Sequence, residues 1–233
     1  MNVFISADIE GTCGITDWSE TERSTMDDYR PFQKQMTREV KAACKGALDG
    51  GAKGILLKDA HDSARNIDVS ALPEEVHILR GWTGDLLSMM SGLDTGDFGA
   101  VLFTGYHAWA SCPGNPLSHT MNLRNEQVLL NGVLASEFLI NTYTAGYYGV
   151  PVAFLSGDAA LCDFAKELIP EMVTVPVNKG VGGGVLSIHP DVAVERVRAG
   201  AKEAVERAQR CKVPMPDHFD SQIRFREHKL AYS

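Results

Sequence analysis

Asp8 and Glu10 close the first apolar run of the chain, Val3-Phe4-Ile5-Ser6-Ala7-Asp8-Ile9-Glu10-Gly11. Two further runs end on histidine, Ile55-Leu56-Leu57-Lys58-Asp59-Ala60-His61 and Val101-Leu102-Phe103-Thr104-Gly105-Tyr106-His107. Carboxylates with imidazoles are a zinc-like donor set. In extended backbone Asp8 and Glu10 point to one side, where their charges repel unless a cation sits between them. A metal-bound imidazole needs a partner for its second nitrogen, and Asp59 or Asp62 beside His61 would supply one. Gly105 before His107 permits close approach of a neighbouring backbone or a metal. Each feature has a plainer reading, namely a solvated strand end, a surface loop histidine or a histidine packed under a loop. Three strand tips with one pattern argue instead for one converging site, because open α/β sheets bind ligands at the C-terminal edge.

Other residues carry weaker signals. Glu137 opens a helix, where an acid suits the dipole without any metal. His119, in Ser118-His119-Thr120, is able to move protons at neutral pH if it lies near a metal, although a structural role explains it equally. Asp158 is accounted for as a helix cap. Ser111, Ser118 and Ser156 lack the nucleophile-elbow pattern. Gly180-Val181-Gly182-Gly183-Gly184 lacks the Gly-Lys-Ser/Thr of a phosphate loop and reads as flexible loop.

The elements that must position these residues alternate between strand and helix. Residues 3–8 read as a buried strand and 11–29 as a polar loop. Phe32, Met36, Val40, Ala43 and Ala47 follow at helical spacing, and Gly50-Gly51 stops the helix. A strand at 54–58 completes a βαβ unit, which implies a parallel pair with a right-handed crossover. A strand is expected at 76–79, a short helix at 85–91 and a strand at 100–104. Residues 127–134 form a hairpin around Asn131-Gly132, a dipeptide suited to a type I′ turn. Helices follow at 136–146 and 159–169, with a strand at 152–156 between them. Pro190 opens a last helix reaching about residue 210, and no element is evident after Pro214. The fold class is α/β, a three-layer sandwich with a mostly parallel central sheet, a β-hairpin and a smaller C-terminal region. The expected division is a metal-binding catalytic core at 1–170 and a C-terminal helical region at 171–233.

Composition removes several function classes. A net charge of −8 without basic clustering argues against nucleic-acid binding. No apolar run reaches the roughly 20 residues of a membrane span. The start of the chain has no basic segment followed by an apolar one, so no secretory signal is read. Cys13, Cys44, Cys112, Cys162 and Cys211 are odd in number and scattered, as in reduced cytoplasmic proteins.

These motifs, taken in order, resemble those of the bacterial zinc-dependent D-aminopeptidases of the dipeptide-operon type. The similarity runs through Ser6-Ala7-Asp8-Ile9-Glu10-Gly11, Lys58-Asp59-Ala60-His61-Asp62, Gly105-Tyr106-His107-Ala108 and Leu117-Ser118-His119-Thr120-Met121. It continues through Asn131-Gly132, Ser136-Glu137 and Ala145-Gly146-Tyr147-Tyr148-Gly149-Val150-Pro151-Val152, covering roughly residues 1–170. The resemblance implies two zinc ions per subunit. Asp8 would bridge them, Glu10 and His61 would complete one, and His107 with Glu137 the other. It implies that His119 is catalytic, that members form ring-shaped homodecamers, and that they release N-terminal D-amino acids such as D-alanine from short peptides. Relative to that family the C-terminal region is expected to be incomplete. Where the family has a second aspartate after the one matching Asp158, this chain has Ala159.

The expected function is a metal-dependent aminopeptidase whose zinc pair activates a water. His119 is read as a proton-transfer residue rather than a nucleophile, because a dimetal site already supplies the attacking oxygen. Two other classes fit parts of the pattern. One is a nucleotide- or sugar-binding α/β protein, for which Gly11-Thr12-Cys13-Gly14 is a poor phosphate cradle. The other is a dimetal phosphoesterase, which shares the donor chemistry.

Overall fold

The computed structural model describes residues 1–232. The chain opens with β1 (Asn2–Ala7), α1 (Met26–Asp49), β2 (Gly54–Asp59), β3 (Val76–Leu79) and β4 (Phe98–Tyr106). A small hairpin, β5 (Asn125–Leu130) and β6 (Val133–Leu134), leads into α2 (Glu137–Tyr147). Then come β7 (Val152–Asp158), α3 (Ala159–Leu168), β8 (Val173–Val181), β9 (Gly184–Ser187), α4 (Pro190–Glu206) and β10 (Ser221–Phe225).

Seven strands form the main sheet in the order β3-β2-β1-β4-β7-β8-β9. All pairs are parallel except β8 with β9. β1 and β7 are buried almost throughout, so their sequences run apolar without alternation, as doubly covered strands must. Successive crossovers run one way from β1 to β2 and the other way from β4 to β7 and β8. Right-handed connections therefore place α1 on one face and α2 and α3 on the other. The side chains agree. Phe103 of β4 meets Phe138 of α2, which in turn meets Phe164 of α3. Phe154, in register with Leu102 and so on the opposite face, lies against Gly200 of α4. α4 packs on α1, where a Cβ on Gly46 would overlap the Arg198 carbonyl. Full burial of Phe103, Phe138 and Phe154 contributes about 1.5–3 kcal/mol each.

The three-layer α/β sandwich and the hairpin match the expectation. Asn131 (φ 50°) and Gly132 (φ 78°) both take the left-handed backbone that a type I′ turn needs.

Five expectations need correction. Helix α1 begins at Met26, not near Phe32. Its first turns are polar but anchored by buried Tyr29, whose hydroxyl donates to Asn66 Oδ1 (2.8 Å). The short helix at 85–91 is one 3₁₀ turn, Ser88–Met90. The run at 180–184 is the tip of the β8–β9 hairpin, and Gly180 N–H donates to the Gly114 carbonyl (3.0 Å). Region 171–233 is not simply helical, since it contributes β8 and β9 to the main sheet, so the sheet crosses the boundary drawn at 170. Finally, the segment after Pro214 holds β10, which pairs antiparallel with β5. Its residues are mostly exposed, Ile223 included, so pairing with β5 rather than a buried face sustains it.

Candidate metal centre

The order reverses beside β1, since β2 lies to one side of it and β4 to the other, and a crevice opens at the C-terminal ends of the strands there. Asp8 and Glu10 leave β1, His61 follows β2, and His107 follows β4. Backbone packing fixes these tips. The Asp8 N–H donates to the Thr104 carbonyl (2.9 Å) and Gly11 N–H to the Gly105 carbonyl (2.8 Å). Gly105 has φ 68°, and a Cβ on it would overlap the Asp8 carbonyl oxygen. The glycine thus serves the approach of backbone to backbone.

All five residues expected as ligands are buried and meet in one cluster. His61 Nδ1 lies 3.2 Å from Asp8 Oδ1 and 3.2 Å from Glu10 Oε2. His107 Nε2 lies 3.5 Å from Asp8 Oδ2 and 3.6 Å from Glu137 Oε2. Donor atoms of Asp8, Glu10 and His61 lie within 4.8 Å of one another, as do those of Asp8, His107 and Glu137. Asp8 belongs to both trios. Glu137 enters from the first position of α2, whose N-cap Ser136 accepts from Leu139 N–H. Its Oε1 accepts the Met121 N–H (2.7 Å).

His119 lies in the same cluster, with Nε2 3.5 Å from Glu137 Oε1 and 3.9 Å from Glu10 Oε1. With Glu10 and His107 it forms a third trio of close donor atoms.

Backbone carbonyls select the face that each imidazole turns inward. His61 Nε2 meets the Thr21 carbonyl (3.2 Å), His107 Nδ1 the Ala108 carbonyl (2.9 Å) and His119 Nδ1 the Leu117 carbonyl (3.0 Å). A carbonyl only accepts, so that nitrogen carries the proton and a neutral ring turns its lone pair into the cluster. The expectation that Asp59 or Asp62 would serve His61 is therefore corrected. Asp59 is consumed by Asn66 N–H, Asn66 Nδ2 and Ile67 N–H, and Thr21 comes from a loop distant in sequence.

Electrostatics and unpaired atoms both mark a site suited to a cation. Burial and the Glu10 charge raise the Asp8 pKa well above the carboxylate range. Burial opposes ionisation of Glu10, yet the facing charge of His61, with those of His107 and His119, carries its pKa well below that range. Glu137 is likewise lowered against its burial, chiefly by His107. Burial opposes protonation of His61 and His107, yet the facing carboxylates raise both well above the usual range. His119 is lowered, by burial and then by the His107 charge. With each ring neutral and its proton on the carbonyl side, Asp8 Oδ2, Glu10 Oε2 and His107 Nε2 are buried without a hydrogen-bond partner. Three unpaired donors at one point cost several kcal/mol unless an ion engages them. The donor set fits zinc.

The whole chain, residues 1–233, matches the model of peptidase family M55, described as D-aminopeptidase. The chain belongs to this family. A Bacillus subtilis (strain 168) D-aminopeptidase is 34% identical over 183 residues, 78% of this chain and 65% of the relative. The matched part thus spans just under two thirds of that relative's length. The fold also matches the solved structure of the Zn-dependent D-aminopeptidase DppA from Bacillus subtilis, described as a self-compartmentalizing protease. The TM-score is 0.91 at 29% identity, covering 100% of this chain and 84% of the other.

Three contributors to this M55 site escape sequence reasoning. Trp18 stands edge-on to His119, with ring centroids 5.2 Å apart. It is held by a 3₁₀ turn whose capping box, Asp17 with Glu20, was a readable signal. Asp158 caps α3 as expected, and its Oδ2 also accepts the Ala108 N–H (2.7 Å), bracing the residue after His107. Asn115 donates to the Glu10 carbonyl (3.2 Å).

Proposed function

We propose that this M55 member is a zinc-dependent aminopeptidase that removes N-terminal amino acids, D-alanine among them, from short peptides. The observation that carries the reading is the convergence of buried, unpaired Asp8, Glu10 and His107 atoms at the C-terminal crevice. Asp8 would bridge two zinc ions, with Glu10 and His61 on one and His107 and Glu137 on the other. Zinc, when bound, supplies Lewis-acid polarisation of a carbonyl and a water acidified to a pKa of about 7.

The chain's own groups do the rest. Thr21, Ala108 and Leu117 carbonyls hold the three imidazoles in one tautomer, so little reorganisation accompanies reaction. His119 Nε2 faces the cluster with its lone pair and carries a proton from the attacking water to the leaving amine. The Trp18 ring covers one side of His119 and limits water access. The self-compartmentalizing relative supports an enclosing homo-oligomer, for which the family resemblance implies a ring-shaped decamer. The five free, buried cysteines support a reducing, cytoplasmic setting. No helix among the described residues is long and apolar enough to cross a membrane.

The rival nucleotide-binding reading is disfavoured at Gly11-Thr12-Cys13-Gly14, whose four backbone N–H groups already donate to the Gly105 and Ile9 carbonyls, Glu39 and Asn178, leaving none for a phosphate. The deciding experiment incubates zinc-loaded protein with paired D- and L-alanyl dipeptides and with phosphomonoesters. Cleavage of the D-alanyl peptide, lost on chelation and restored by zinc, supports the proposal. Phosphatase activity alone, or peptide cleavage at full rate after complete metal removal, would refute it.

A further inference from the structure

The metal cluster forms the floor of a cavity of about 330 Å³. Its walls carry Trp18, Trp82, Met89, Met121 and Leu123, and two acids beyond the metal cluster, Glu22 and Asp62. Every charged side chain lining it, histidines aside, is a carboxylate. Two nearby cations are engaged elsewhere: Arg23 donates to the Arg65 carbonyl (2.6 Å), and Lys58 to the Gly81 carbonyl (2.7 Å). Away from the metal cluster, a substrate carboxylate would meet no counter-charge on the walls, whereas an ammonium would meet Glu22 and Asp62.

Two divalent ions would more than neutralise Asp8, Glu10 and Glu137, so Glu22 and Asp62 would be the acids left to attract a cationic substrate group. Of the two, Glu22 is better placed. It is half-buried, whereas Asp62 is exposed and more strongly screened. Its backbone is pinned, since its carbonyl accepts from Thr25 N–H (3.1 Å) and Thr25 Oγ1 (2.8 Å). It directly follows Thr21, whose carbonyl meets His61, so the segment that sets the His61 ring also carries Glu22 into the cavity wall. Among the described residues its carboxylate has no ion-pair or hydrogen-bond partner. It is ready to engage a ligand without giving up an internal bond.

We propose that Glu22 is a specificity-determining residue that receives the substrate's α-ammonium, so that peptides enter amine-first with the carboxylate end toward solvent. This rests on the aminopeptidase reading and names the substrate class more closely: free-amine aminoacyl peptides and amides, without need of a C-terminal carboxylate.

The test measures kcat and KM of the zinc-loaded full chain on a D-alanyl dipeptide and on its C-terminal amide, across a range of salt. Wild type should cleave both with KM values within about threefold of each other. Glu22→Gln should raise KM about tenfold on both, keep kcat and zinc content, and lose most of the wild-type rise of KM with salt. Asp62→Asn should change KM by less than about threefold. If wild type cleaves peptides but Glu22→Gln keeps wild-type KM and salt dependence, the ammonium role is wrong and the peptidase reading stands. Lowered zinc content or melting temperature in Glu22→Gln, with KM unchanged in the zinc-saturated fraction, would also overturn it, because the role would then be structural. A wild-type preference of more than about tenfold for the free carboxylate would reverse the proposed polarity. If zinc-loaded wild type cleaves no peptide, both readings fall.

Discussion

The imidazoles of His107 and His119 lie face to face, with centroids 4.3 Å apart and planes 9° from parallel. Two stacked imidazolium cations would repel, so one ring of the pair stays neutral. His107 points Nε2 at Asp8 and Glu137, and His119 points Nε2 at Glu10 and Glu137 from the solvent side. The stack therefore separates a ring suited to metal from one suited to protons.

That separation can be measured. His119→Ala should lower kcat by about 10²–10⁴ while two zinc ions per chain are retained. His107→Ala should lose zinc as well as activity. Elemental analysis beside steady-state kinetics distinguishes the cases, and zinc loss in His119→Ala would instead favour the trio in which His119 is a ligand. A covalent acyl-imidazole trapped on His119 would show it to be a nucleophile.

Zinc should stabilise the fold, because the native cluster has unpaired donors that the unfolded chain lacks. At about a thousandfold excess over Kd the gain is about 4 kcal/mol, or roughly 10 °C in melting temperature for a chain of this size. Asp8→Asn, which weakens both trios, should show little of that rise in a thermal scan.

Gly105→Ala tests how the backbone sets the site. The left-handed φ and the overlap with the Asp8 carbonyl should together cost roughly 3 kcal/mol. Urea unfolding reads the loss. A variant as stable as wild type would show that the β1–β4 contact tolerates a side chain.

Glu39 gives a pH dependence separate from the metal cluster. This residue of α1 is fully buried, its Oε1 accepting from Cys13 N–H (3.1 Å) and Gln35 Nε2 (2.8 Å) while Oε2 has no partner. Burial pushes its pKa up from 4.5 to about 7. The folded state therefore holds a proton that the unfolded state releases. The contribution is fully present below about pH 4.5 and is lost as pH rises through about 7, by about 3 kcal/mol in total. Glu39→Gln should remove that slope and be the more stable form above pH 7. Parallel wild-type and variant stability curves between pH 5 and 8 would contradict this.

Much of the site was legible before any coordinates. Asp8, Glu10, His61 and His107 stand at the ends of apolar runs, and a parallel sheet with right-handed crossovers brings such ends to one edge. The Asn131-Gly132 turn was equally plain, because few dipeptides tolerate two left-handed residues in succession. Glu137 was ambiguous, since a helix opening favours an acid whether or not a metal is near. His119 took its role from family resemblance, because nothing local separates a catalytic loop histidine from a packed one.

Local order therefore carries the strands, the helices and the donors at the strand tips, because periodicity and turn chemistry act between residues close in sequence. Contacts across distance carry the rest. The Thr21 carbonyl on His61, Trp18 on His119 and β10 on β5 join segments 40, 101 and 91 or more positions apart. Such pairs leave no local mark, because each partner is as compatible with solvent as with the other until the sheet closes and burial makes the match obligatory.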